Sequence, residues 1–72
     1  MLKTVSIYVR IPDEYGAMLT QAIPLENGLY KVLPTPDYNA DVEDWEFVPG
    51  SIVRCEWITW DEPLFLAVEK VG

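Results

Sequence analysis

The chain has no histidine and only one cysteine, Cys55. Without histidine the usual Ser-His and Cys-His nucleophile pairs are absent, and no side chain has an unperturbed pKa near neutrality. A lone cysteine cannot close an internal disulfide, and no cluster of cysteine and histidine exists to hold zinc. No catalytic, metal or cofactor-binding residue is therefore assigned. Cations are scarce as well: five Lys and Arg stand against twelve Asp and Glu, a net charge of −7. Such a chain repels phosphate backbones, because nucleic-acid affinity comes mainly from cations that displace counterions, so direct DNA or RNA binding is disfavoured. Long apolar runs are missing too. The opening MLKTVSIYVRIPDEYG alternates apolar and polar positions, unlike the continuous core of a signal peptide, and no stretch approaches the ~20 apolar residues of a membrane span. The expected compartment is the cytoplasm, with no membrane partner.

What is present is half hydrophobic, at 50%, with three Trp, four Tyr and two Phe, which sets the chain apart from disordered compositions. At this length it is expected to form a single domain over residues 1–72 that buries only ~60% of the surface it would expose unfolded. A few large side chains must supply most of the core. A monomer and a homodimer are both open, dimerisation being one way for so small a core to gain area.

The polar and apolar positions outline five strands. Val5, Ile7, Val9 and Ile11 fall at every second position, the period of a half-buried strand, and Pro12 with residues 13–16 ends it. A second apolar stretch, residues 17–25, runs into Asn27-Gly28, whose tolerance of positive φ marks a type I′ hairpin. A two-residue turn there pairs Leu25 with Tyr30 and Ile23 with Val32 on one buried face. Pro34, Pro36 and the acidic residues after them make a long loop at about 34–48, with room for one helical turn around residues 40–45 capped by Asn39 or Asp41. Pro49-Gly50 fits a type II turn. Two more strands, residues 51–60 and 63–71, flank Asp61-Glu62. A two-residue connection pairs Trp57 with Leu66, Cys55 with Val68 and Arg54 with Glu69, although Asp-Glu is a poor primed turn and a looser loop would shift this register by one. Five strands without a strong amphipathic helix define an all-β domain, a small five-stranded antiparallel barrel or strongly curved sheet of SH3-like type.

Two resemblances follow from these segments. IYVRIPDE, GLYKV, EDWEFVPGSIVRCE and LFLAVEKV together resemble a family of short, uncharacterised bacterial proteins, most specifically at Trp45-Glu46-Phe47, Pro49-Gly50 and Val53-Arg54-Cys55-Glu56. That resemblance implies a type of protein and no activity. GLY and DWEFVPGSIV are similar, more weakly, to the aromatic opening and acidic loop of SH3 domains, which implies a surface for proline-rich peptides flanked by basic residues.

Cys55 alternates with Arg54 and Glu56 in a strand and is expected to be an inert, inward thiol. The loop carboxylates do not match an EF-hand spacing. Tyr8, Tyr15, Tyr38, Trp45, Trp57 and Trp60 exceed what the inner positions of so small a barrel hold, so some are expected at its rim or outside, whereas Phe47 is expected to pack as a lid. Asp41, Glu43, Asp44, Trp45 and Tyr38, with Trp57 and Trp60, are the candidate partner-binding residues. The function expected from charge, aromatics and missing catalytic groups is a noncatalytic, acidic protein-interaction module of regulatory, inhibitory or immunity type that meets a basic protein surface. The alternatives are an acidic mimic of nucleic acid filling a cationic groove, and an SH3-like binder of proline-rich peptides.

Overall fold

The computed structural model describes residues 3–12 and 16–72 and shows an all-β barrel of five strands. These are β1 (Val5–Arg10), β2 (Ala17–Pro24), β3 (Leu29–Val32), β4 (Ile52–Thr59) and β5 (Pro63–Lys70). Each strand pairs antiparallel with the next in sequence. The ring closes through a parallel β1–β5 contact at Tyr8 and Leu66, the direction that an odd number of alternating strands imposes. This is the small SH3-like barrel that the strand count implied.

Alternation decides the interior. Ile7 and Val9 of β1, Ala22 of β2, Val32 of β3, Val53 of β4 and Ala67 of β5 are all buried and form one cluster. Thr20 lies among them, and its hydroxyl donates to the Leu33 carbonyl at 2.6 Å, so no buried donor is lost. Half-buried Val5, Met18, Tyr30, Phe47, Cys55 and Phe65 extend the cluster. Phe65 packs edge-on against Tyr30 at 5.4 Å between ring centroids.

The β2–β3 hairpin corrects one expected register. Asn27 and Gly28 do take positive φ, 64° and 74°, and the Leu29 N–H donates to the Glu26 carbonyl across them. The Leu25 N–H, however, also donates to Leu29, at 2.7 Å. Leu25 and Glu26 together therefore oppose one residue, a bulge that shifts the ladder by one. Ala22 pairs with Val32 and Pro24 with Tyr30, in place of the expected Ile23–Val32 and Leu25–Tyr30 pairs. Ala22 takes the core position and Leu25 is exposed.

The last hairpin shows a related shift. Trp60, Asp61 and Glu62 form a three-residue connection, closed by the Trp60 N–H donating to the Glu62 carbonyl at 3.2 Å. Trp57 then pairs with Phe65 and Cys55 with Ala67, rather than with Leu66 and Val68, while Arg54 still pairs with Glu69. Val68 is the extra residue. In a regular strand Ala67 and Glu69 would share a face; the bulge sends Ala67 inward and leaves Glu69 outside beside Arg54.

Candidate interaction surface

The connection from β3 to β4, residues 33–51, is folded onto one end of the barrel. It leaves β3 with the Leu33 N–H donating to Gln21 and returns with the Gly50 N–H donating to Val32 and the Val32 N–H to Ser51. The Ser51 N–H donates to Val48 over Pro49-Gly50, and Gly50 has φ 95°, the expected type II turn. Midway, the Val42 and Glu43 N–H groups both donate to the Asn39 carbonyl. The Asn39 side chain accepts from the Asp41 N–H at 3.0 Å, and the Glu43 carboxylate accepts from the Asn39 N–H at 2.8 Å. This is the expected single helical turn, capped from both directions by Asn39 and Glu43.

That turn drives Trp45 into the core. Its side chain is 3% exposed, its ring meets Tyr38 at 4.9 Å in an edge-to-face contact, and its indole N–H points at Glu43 Oε1, 3.4 Å away. Trp45 is thus corrected from a contact residue to a core residue, because a thin barrel needs its area and the loop has a turn that aims it inward. Tyr38 is half-buried beside it, and Glu43 is engaged in holding the turn. Glu46 is likewise engaged: its N–H donates to the Arg10 carbonyl, and its carboxylate pairs with the Arg10 guanidinium at 2.8 Å. Of the loop carboxylates, Asp37, Asp41 and Asp44 face solvent. Phe47 is half-buried against the core, so the aromatic platform implied by the SH3 resemblance is folded inward.

Trp57 and Trp60 lie elsewhere. The loop is tied to Arg10, the last residue of β1, whereas the β4–β5 turn precedes the first residue of β5. Because β1 and β5 run parallel, these are opposite ends of the barrel. The structure brings Tyr38, Glu43 and Trp45 together and separates them from the other two tryptophans. Tyr15 lies outside the described residues, and Tyr8 is half-buried on the outer face between Leu19 and Leu66.

The β4–β5 tip is the more open surface. Trp57 is 71% exposed although it shares the inward face with Val53 and Cys55, because β4 runs past the short β3, whose first residue pairs with Arg54, and no residue of β3 pairs with Trp57. Its ring rests on Phe65 at 5.0 Å. Trp60 is half exposed and, with Asp61, Glu62 and Leu64, lines a shallow cavity of about 200 Å³. From Cys55 to Leu64 the chain contains Glu56, Asp61 and Glu62 and no Lys or Arg. The nearest cation in sequence, Arg54, is held by Glu69 at 3.0 Å and by Glu56, whose hydrogen bond, followed by that of Glu69, raises its proton affinity further.

Cys55 packs on the core, and burial pushes its thiol up to about 11. At neutral pH it is protonated and a poor nucleophile. Among the described residues no three Cys, Asp or Glu side chains converge as metal ligands, and no helix is long and apolar enough to cross a membrane. No family model, curated protein or solved structure matches this chain.

Proposed function

We propose that the protein is a noncatalytic, acidic interaction module whose β4–β5 end meets a basic protein surface. One observation carries this reading: two exposed tryptophans stand on a hairpin that has no Lys or Arg from residue 55 to residue 64, and one of them walls an open cavity with Asp61 and Glu62, which are not in an ion pair among the described residues. Exposed tryptophan offers large, stiff, amphipathic area, which is the usual anchor of a protein contact. A Lys or Arg side chain fits the cavity chemically. Its charge meets Asp61 and Glu62 while its stem or guanidinium lies on the indole face. The net charge of −7 would speed the encounter with a cationic partner.

The loop end supports this choice by exclusion, since its aromatic residues close the core and Glu43 and Glu46 already have partners. Exposed Asp37, Asp41 and Asp44 at that end contribute to the overall field. The resemblance to short bacterial proteins remains part of the proposal and adds no activity to it. The test is capture: the immobilised protein, exposed to extract of its native cell, retains a basic protein that elutes as salt rises. Retention only of acidic proteins, or binding indifferent to salt, would refute the reading.

A further inference from the structure

The edge of β4 is a second feature of the same end. β3 has four residues and β4 eight, and Leu29, the first residue of β3, already stands opposite Arg54. Before Leu29 the chain turns away through Glu26–Gly28. Residues 55–59 of β4 therefore have β5 on one side and, among the described residues, no strand on the other. An antiparallel strand aims alternate N–H and C=O groups away from its neighbour, so this side presents backbone groups free to pair. Proteins commonly blunt such an edge with Lys or Pro, and neither occurs between residues 55 and 59.

We infer that the free edge of β4, residues 55–59, takes up an extended, Lys- or Arg-bearing segment of the partner by strand addition. This rests on the basic-partner reading above and specifies its geometry. The backbone template selects an extended chain, and the side chains on its two faces select the sequence. Glu56 projects to one face, where it and Glu69 share the single cation Arg54, and the negative charge left over favours a cation on the added strand. Trp57 projects to the other, where it favours an apolar side chain or a stacked guanidinium. A segment alternating basic and apolar residues satisfies both, and its end can place one more cation between Trp60, Asp61 and Glu62. A second copy of this chain suits the edge poorly, because it would bring another net charge of −7 and another Glu56 to the same seam.

The test uses the whole protein, labelled for NMR, and synthetic peptides of about seven residues that alternate lysine and valine, a length matched to a strand. The expected result is slowed hydrogen exchange at alternate amides within residues 55–59 on adding peptide. Two N-methylated versions, blocked at odd or at even positions, separate backbone pairing from charge. One should bind roughly ten-fold or more weakly, through lost hydrogen bonds, and the other should bind like the parent. A glutamate-valine peptide should not bind. Equal behaviour of the two N-methylated peptides, or no protection of residues 55–59 at millimolar peptide, would overturn the inference. Protection that grows with protein concentration alone would assign the edge to a second copy and overturn it too. Shifts confined to residues 37–46 would overturn the edge while leaving a basic partner standing, whereas equal binding of the glutamate peptide would overturn both.

Discussion

Replacing Trp45 by alanine tests whether the acidic loop belongs to the core. The side chain is 3% exposed, so essentially its whole surface is removed from water. Tryptophan buries on the order of 200 Å², which at roughly 25 cal/mol per Å² corresponds to about 5 kcal/mol as an upper bound. Measured losses for truncating buried aromatics, about 3–5 kcal/mol, agree with that figure. The edge-to-face contact with Tyr38 at 4.9 Å and the indole N–H directed at Glu43 vanish with it. For 72 residues the total stability is on the order of 4–11 kcal/mol, so Trp45→Ala removes about a quarter of it or more. Urea unfolding followed by circular dichroism would show a midpoint lower by about 3–5 M, taking a slope of roughly 1 kcal/mol per M, or a protein unfolded in buffer. Trp45→Phe keeps most of the area and should lose about 1–2 kcal/mol, which guards against an uninformative failure to fold. Trp57→Ala, with 71% of its side chain already in water, should cost under about 1 kcal/mol. A Trp45→Ala midpoint within a few tenths of 1 M of wild type would refute the assignment of the loop as a lid.

Cys55 should react with a bulky disulfide reagent far more slowly in the native protein than after denaturation, and labelling at the rate of a free peptide thiol would refute its placement. Because its proton affinity rises from the ordinary 9.0 to about 11 on folding, its contribution to stability is whole below pH 9 and is lost as pH climbs toward 11, and thermal melts across that window should decline more steeply for the wild type than for Cys55→Ala, equal slopes contradicting this. Gly50→Ala should cost about 1–2 kcal/mol although a methyl group there would meet no neighbouring atom, since φ 95° alone penalises a side chain; an unchanged melting temperature would contradict this. Glu46→Gln, at a surface pair with Arg10, should cost under about 1 kcal/mol and less in high salt, and a larger loss in urea titration would show that the pair is more than a surface contact.

Strand positions were legible because alternation and turn chemistry act locally. The Val5, Ile7, Val9 pattern, Asn27-Gly28, Pro49-Gly50 and the Asn39-capped turn all stand where local rules place them. Registers were less legible. The β2–β3 and β4–β5 hairpins each carry a bulge, and a bulge is chosen by which side chain the barrel can bury: Ala22 displaces Ile23, and Ala67 displaces Val68. The candidate surface suffered from the same limit. The carboxylate-rich loop and its tryptophan look like one contact patch in sequence, but a thin core draws Trp45 inward and the turn consumes Glu43. Conversely, the strand pattern puts Trp57 on an inward face, and only the mismatch in length between β3 and β4 reveals that this face opens to solvent.

The central claim, that the β4–β5 end is the contact surface, is most directly tested by comparing three immobilised proteins for retention of the captured basic partner. These are the wild type, a Trp57→Ala/Trp60→Ala variant, and an Asp41→Asn/Asp44→Asn variant, each shown by circular dichroism to be folded. The tryptophan variant should lose the partner, chiefly through faster dissociation, while the loop variant should retain it with somewhat slower association. Retention by the tryptophan variant together with loss by the loop variant would place the contact at the other end of the barrel and contradict the account.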